Sequence, residues 1–223
     1  MSGRLARDAA VERRRYTWRW WRLVMALAIG AIAFFALEMV DVPIGRWCAR
    51  AVHIEDGSAF EQIVGGFRNF AQVLTLVVVI VLVALFDTRR KRIIIALLVA
   101  QAGAKVTYEV AKHTIARDRP YVVTARVDDE AGGAPVDTWR GVRMGNSSRD
   151  YQSFPSGHTA AAFVMAGVLV WYYPRAAVMF WVLAVGCGVT RVLQLAHWPS
   201  DCAVGAALGY VWAQIGLRAG RGR

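Results

Sequence analysis

Apolar residues arrive along this chain in six blocks, at about residues 21–40, 70–86, 93–111, 158–173, 175–194 and 201–218. A run of about 17–25 apolar residues is long enough to cross a bilayer as a helix. Each block therefore predicts one transmembrane helix. What separates them is short: a basic turn at Asp87-Thr88-Arg89-Arg90-Lys91-Arg92, a Pro174-Arg175 step, and a tight link at 195–200. The exceptions are two longer stretches. Residues 41–69 begin with Asp41-Val42-Pro43, where proline is expected to end the first helix. The same stretch ends in an amphipathic run, Phe60 to Phe70, suited to lying along the membrane interface. Residues 112–157 form one long, glycine-rich polar loop, with Trp139, Arg140, Arg143 and Arg149 expected to shape access for head groups.

Composition agrees with the pattern. The chain has 223 residues, is 57% hydrophobic and carries a net charge of +11. That charge does not mark a nucleic-acid binder, because the basic residues flank apolar blocks and do not line one soluble face. They sit at the N-terminus (Arg4 to Arg22, closed by Trp18, Trp20 and Trp21), between blocks two and three, at Arg175, and at Arg218, Arg221 and Arg223. With alternating helices all four clusters share one side, which the positive-inside rule assigns to the cytoplasm. The expectation is an all-α integral membrane bundle of six transmembrane helices in an inner (plasma) membrane. A basic cytoplasmic segment, 1–20, precedes a six-helix domain, 21–218. Both termini are cytoplasmic. Loops 41–69, 112–157 and 195–200 face the outer, periplasmic side. Cys48, Cys187 and Cys202 match no zinc spacing and read as packing residues.

Several charges fall on the side that should lack them. Lys112 and Arg119 follow span three, and Arg191 closes span five. Any one of them alone is accounted for by snorkelling to head groups. Lys105, Glu109 and Lys112 share a helix face, where Lys105–Glu109 reads as a structural pair, and Glu38 reads as an interfacial or pairing residue. Ser156-Gly157-His158 opens span four with free backbone N–H groups at the positive end of a helix, a ready place for an anion. Ser156 alone would be an N-cap, and His158 alone a structural histidine. Before span six come His197 and Asp201, at the spacing of an imidazole and an orienting carboxylate. Jointly these residues would meet in one polar pocket at the membrane surface, which snorkelling does not predict.

The ordered motifs Lys112-x6-Arg119-Pro120, Pro155-Ser156-Gly157-His158 and Thr190-Arg191-x5-His197-x3-Asp201 resemble the three-part signature of the type 2 phosphatidic acid phosphatase superfamily. Thr190 stands where that family usually has serine. The resemblance implies a membrane lipid-phosphate phosphatase that hydrolyses a phosphomonoester or pyrophosphate through a phospho-histidine. It implies His197 as nucleophile, Asp201 as its orienting partner, and His158 as general acid. It also implies that Lys112, Arg119, Arg191 and the backbone near Ser156 and Gly157 bind the phosphoryl oxygens. No metal or other cofactor is implied. The expected partners are a lipid-phosphate substrate and membrane lipids, with no nucleic acid, and the oligomeric state stays open.

Phosphoryl transfer depends on positioning and on neutralising charge at the phosphoryl oxygens, which this cation set suits. Phosphatidate, phosphatidylglycerol phosphate, a polyprenyl pyrophosphate or a lipid A phosphate would all fit. A lipid phosphotransferase using the same phospho-enzyme is the alternative. Vanadium-dependent haloperoxidases share the pocket, but six spans argue against a large soluble enzyme. A non-catalytic lipid binder or transporter is the third reading.

Overall fold

The computed structural model describes residues 20–127, 136–145 and 147–221. The expected basic segment, 1–20, thus lies outside the described residues, apart from Trp20. The chain is mostly helical. Eight α-helices appear among the described residues: α1 (Trp20–Ala51), α2 (Ala59–Asn69), α3 (Val73–Phe86), α4 (Arg90–Thr114), α5 (Pro120–Val127), α6 (Gly157–Tyr172), α7 (Ala177–Leu193) and α8 (Pro199–Ala219).

Three of these, within Leu23–Ala51, Arg90–Thr114 and Pro174–Leu193, are long and apolar enough to cross a membrane. The pair α2 and α3 passes the same test together but is bent by 59°. α6 is a shorter apolar helix of 16 residues. α8 spans 21 residues and is less hydropathic because its surroundings are protein: it packs against α6, α4 and α1. Close approach replaces apolar bulk there. A Cβ on Gly205 would come within 2.5 Å of the Ser156 carbonyl oxygen, and one on Gly209 within 2.3 Å of that of Ala160. Small residues that let backbones touch are the usual glue between membrane helices. The outward faces of α1, α3 and α7 are apolar and open: Ile32 is 70% exposed, Leu85 68% and Val178 78%.

One expectation needs correction, and two gain detail. The first helix does not end at Pro43 but runs through it to Ala51. Proline removes one helical hydrogen bond, but tertiary bonds hold this turn. Asp41 is buried and accepts from the Ser200 amide at 3.0 Å and from Arg117 at 2.7 Å, and Gly45 lies against the Trp198 ring. The amphipathic run is a helix, α2, and it docks on α7. Ser58 caps it by accepting from the Glu61 amide at 3.0 Å, and Phe67 seats on Gly186, where a Cβ would meet the ring at 2.2 Å. The long loop is not structureless: β1 (Ile115–Arg117) pairs antiparallel with β2 (Trp139–Val142), and α5 follows β1 directly.

The three cysteines are free and buried. Glu38 takes up the pairing role expected of it, accepting from the Trp139 indole N–H at 2.6 Å. Glu109 turns toward His113, at 4.0 Å, in place of Lys105.

Candidate active site

Local backbone chemistry explains why Arg191 and His197 meet. α7 ends in a Schellman turn. The Ala196 amide donates back to the Arg191 carbonyl at 3.0 Å and the Leu195 amide to that of Val192 at 2.9 Å. The residue between cap and exit is left-handed, as this motif requires, and is here Leu195, with φ 53°. A side chain in that conformation costs about 1–2 kcal/mol relative to glycine. The turn lets the chain reverse within a few residues, so the x5 spacing between Arg191 and His197 is the length of one helix-ending turn. Pro199 then starts α8, and Asp201 caps it by accepting from the Trp198 amide at 3.0 Å.

His197 is 1% exposed. Its Nδ1 lies 2.6 Å from the Ser153 carbonyl oxygen. A carbonyl can only accept, so Nδ1 carries the proton and Nε2 keeps its lone pair. This revises the expected pairing with Asp201. The nearer Asp201 oxygen is 4.0 Å from Nδ1, and acts on the ring through Ser153, whose hydroxyl donates to that oxygen at 2.5 Å. The carboxylate cannot come closer because it is already held by three donors on neighbouring segments. Burial first, and then the charges of Arg119, Lys112 and Arg191, hold the His197 pKa well below its ordinary 6.5. The ring is neutral at physiological pH.

Behind His197 stands a network that sequence reasoning missed. Arg117, fully buried, donates to Asp201 at 2.5 Å, to Asp41 at 2.7 Å, to Ser200 at 2.7 Å and to Thr138 at 3.3 Å. Its guanidinium also lies over the Trp139 ring, 4.3 Å from the centroid. Two carboxylates thus share one cation in a fully hydrogen-bonded cluster, the condition under which buried charge is tolerated. Ser153 belongs to it too. The one sequence signal available was the position of Arg117 between Lys112 and Arg119; nothing local distinguished it from the other arginines.

Three of the loop residues expected to shape access also make contacts within the protein. Asp118 holds Arg140 at 2.7 Å and Arg126 at 3.2 Å. Trp139 packs edge-on against Phe34 and Phe154, and Arg143 lies over Tyr151, 5.9 Å from its centroid.

In front of His197 the cations gather. Lys112, from the last turn of α4, lies over the Tyr108 ring at 5.4 Å. Arg119 donates to the Gln152 carbonyl at 3.3 Å and Arg191 to Gln194 at 2.5 Å. In both arginines Nε is buried without a hydrogen-bond partner among the described residues. Desolvation pulls the Arg119 guanidinium below its usual range, but it stays charged at any physiological pH. Lys112, Arg119 and Arg191 all lie near enough to act electrostatically on both His158, in the first turn of α6, and His197. Ser156 differs in detail from its expected role. Its side chain is spent as N-cap with Thr159 and its amide donates to the Asp201 carbonyl at 3.1 Å. The helix start is left with the amides of Gly157 and His158 to offer. Thr190, the departure from the family pattern, bonds its own helix at Cys187 O, 2.8 Å away.

A helical bundle with a cationic pocket, two histidines and a histidine-buttressing carboxylate at one end defines a class, and comparison with known proteins gives it a name. The model of the PAP2 superfamily matches residues 93–222, more than half of the chain, and the chain belongs to that superfamily. Lipid A 1-phosphatase of Rhizobium etli is 46% identical over 77 residues, covering 30% of this chain and 32% of that protein. The lipid A 1-phosphatase of Porphyromonas gingivalis is 37% identical over 68 residues, 29% of this chain and 15% of its own. The chain thus matches about a third or less of the length of these curated relatives. Among solved structures, LpxE of Aquifex aeolicus superposes with a TM-score of 0.55 at 20% identity, over 80% of this chain and 95% of that one. A transmembrane PAP2-type phosphatidylglycerolphosphate phosphatase from Bacillus subtilis gives 0.55 at 18% identity, over 88% and 94%. At these identities the likeness is one of fold.

Proposed function

We propose that this chain is a membrane lipid-phosphate phosphatase that works through a phospho-histidine at His197. The observation that carries the reading is the Nδ1 bond to the Ser153 carbonyl. It leaves the Nε2 lone pair on a neutral ring beside three cations.

In the first displacement Nε2 bonds to phosphorus and the P–O bond to the lipid breaks. The leaving oxygen takes a proton from His158. Lys112, Arg119, Arg191 and the amides of Gly157 and His158 hold the phosphoryl oxygens. The incoming phosphate bears a fuller charge than a helix end's roughly half charge, so it favours the protonated His158 this step needs. Ser153, tethered by Asp201, steadies the imidazolium as charge builds on it. In the second displacement His158 takes a proton from water, the water oxygen attacks phosphorus, and the N–P electron pair returns to Nε2. Two displacements with one oriented nucleophile replace a single hard hydrolysis. A lipid A phosphate is the substrate suggested by the relatives' names, and a transferase would share every step but the last acceptor.

The membrane frame follows the same reading. α1, the bent pair α2–α3, α4, α6, α7 and α8 form six spans. Arg89 to Arg92, Arg175, Arg218 and Arg221 cluster at helix ends opposite the site. The positive-inside rule then assigns the site to the outer face of the inner membrane, the termini to the cytoplasm, and residues 1–20 to a basic cytoplasmic segment before a single domain, 21–218.

Purified protein supplied with a panel of lipid phosphates in EDTA should release free phosphate. His197→Ala should lower turnover by at least about a thousandfold without loss of the folded protein. No release, or release indifferent to His197→Ala, would sink the proposal. A phosphorylated acceptor lipid with little free phosphate would convert it to the transferase.

A further inference from the structure

One face of α4 leads to the pocket. Leu97, Ala100 and Ala104 are buried along it, and Gln101 donates to the Ala161 carbonyl of α6 at 3.1 Å. Toward α8, Gly103 lies against the Trp212 ring, and Thr107 accepts from the Trp212 indole N–H at 3.1 Å. These bonds fix α4 against both neighbours. Continuing the face by steps of one turn gives Tyr108 and then Lys112. Long helical side chains lean back toward the N-terminus, onto the residue one turn earlier. Lys112 does so: its Nζ lies 5.4 Å from the centroid of the Tyr108 ring. The same ring meets the start of α6. A Cβ on Gly157 would come within 3.0 Å of Tyr108 Cε2 and within 3.2 Å of its Cδ2 and Cζ.

A ring suits this cation better than a carboxylate would. Glu109 is close in the chain but turns to His113. Among the described residues Lys112 has no carboxylate and no hydrogen-bond acceptor, and the Tyr108 ring is its only partner. A carboxylate would occupy the ammonium's donors and cancel its charge. An aromatic face attracts the charge through its quadrupole and leaves the donors free for another acceptor. Lysine also has a flexible four-carbon stem, so a ring beneath it limits where the ammonium can go. Gly157 fits the same arrangement, because a side chain there would press on the ring that carries Lys112. Tyr108 itself lies outside all three motifs.

Resting on the phosphatase reading above, we propose that Tyr108 is a positioning residue for phosphoryl binding. Its ring holds the Lys112 ammonium against the start of α6, so that this cation and the amides of Gly157 and His158 address the same phosphoryl group. Tyr108 touches no reacting atom and acts through Lys112. The ring carries the effect, and the hydroxyl is dispensable.

The test places Tyr108→Leu and Tyr108→Phe in the wild-type protein and in Lys112→Met, with phosphate release from phosphatidate as readout. Tyr108→Leu should lower kcat/KM about tenfold, and Tyr108→Phe, which keeps the ring, should stay within about threefold of wild type. In Lys112→Met, adding Tyr108→Leu should change kcat/KM by less than about twofold, because the residue it acts through is already gone. The full tenfold loss in both backgrounds would overturn the proposal, as would a loss in Tyr108→Phe equal to that in Tyr108→Leu. Progressively fluorinated phenylalanines at position 108 keep the ring's shape and weaken its face, so they serve even where Tyr108→Leu folds poorly. They should lower kcat/KM stepwise, and a flat series would also overturn it. Inorganic phosphate should raise the melting midpoint in detergent more for wild type and Tyr108→Phe than for Tyr108→Leu. Equal stabilisation in all three, or none in any, counts against Tyr108. Absence of phosphate release in wild type would instead count against the phosphatase reading, and the melting comparison would still judge Tyr108.

Discussion

Arg117 and Arg119 are two residues apart and do opposite jobs. Arg117 is wholly buried, and its donors meet two carboxylates and two hydroxyls. Arg119 bonds only a carbonyl oxygen and keeps a buried Nε unpaired among the described residues. What differs between the two is hydrogen-bond satisfaction. A buried charge with its partners present is a closed cluster; in the phosphatase reading proposed above, Arg119 meets its partner in the substrate.

Arg117→Gln should break the closed side with the largest effect. It leaves Asp41 and Asp201 facing each other without their cation, and loss of one member of a buried pair costs about 3–5 kcal/mol. Thermal melts in detergent should show a large drop, with much of it restored by adding Asp41→Asn. A melt unchanged by Arg117→Gln would mean the network is not what holds the site together. Arg119→Gln should do the reverse. Its kcat/KM should fall about a hundredfold, as for removal of one transition-state donor, while its melting midpoint holds or rises because a repelling charge is gone. Loss of stability matching that of Arg117→Gln would erase the distinction.

The smallest effect is a pH dependence. The folded His197 pKa lies well below 6.5, so below about pH 6.5 the unfolded chain takes up a proton that the folded chain refuses. Its contribution to stability is complete above that pH and shrinks by about 1.4 kcal/mol for each unit of acidification, until the folded pKa is reached. Melts between pH 7.5 and 5 should therefore slope less steeply in His197→Gln than in wild type. Parallel slopes would show that the ring charges freely in the fold.

Much of the site was legible because its motifs are local. Lys112-x6-Arg119 is a helix end plus a short strand, Pro155 to His158 is a helix start, and Arg191-x5-His197-x3-Asp201 is one Schellman turn plus one helical turn. What escaped were partners far away in the chain. Asp41 and Ser200 are separated by 159 positions, and Arg117 and Asp201 by 84. Pro43 gave a sound local reason to end α1, but the helix continues because those distant bonds outweigh it.

The sequence by itself determined the apolar helices, their order, the side on which unusual charges collect, and the histidines and cations of the pocket. These depend on period, run length and spacing, which are properties of adjacent residues. Only the tertiary structure decided that Ser153 and not Asp201 touches the His197 ring, and that Arg117 is enclosed by its partners while Arg119 keeps a buried Nε unpaired among the described residues. Hydrogen bonds are satisfied by whatever atom arrives within about 3 Å, and which atom arrives is set by how the helices pack.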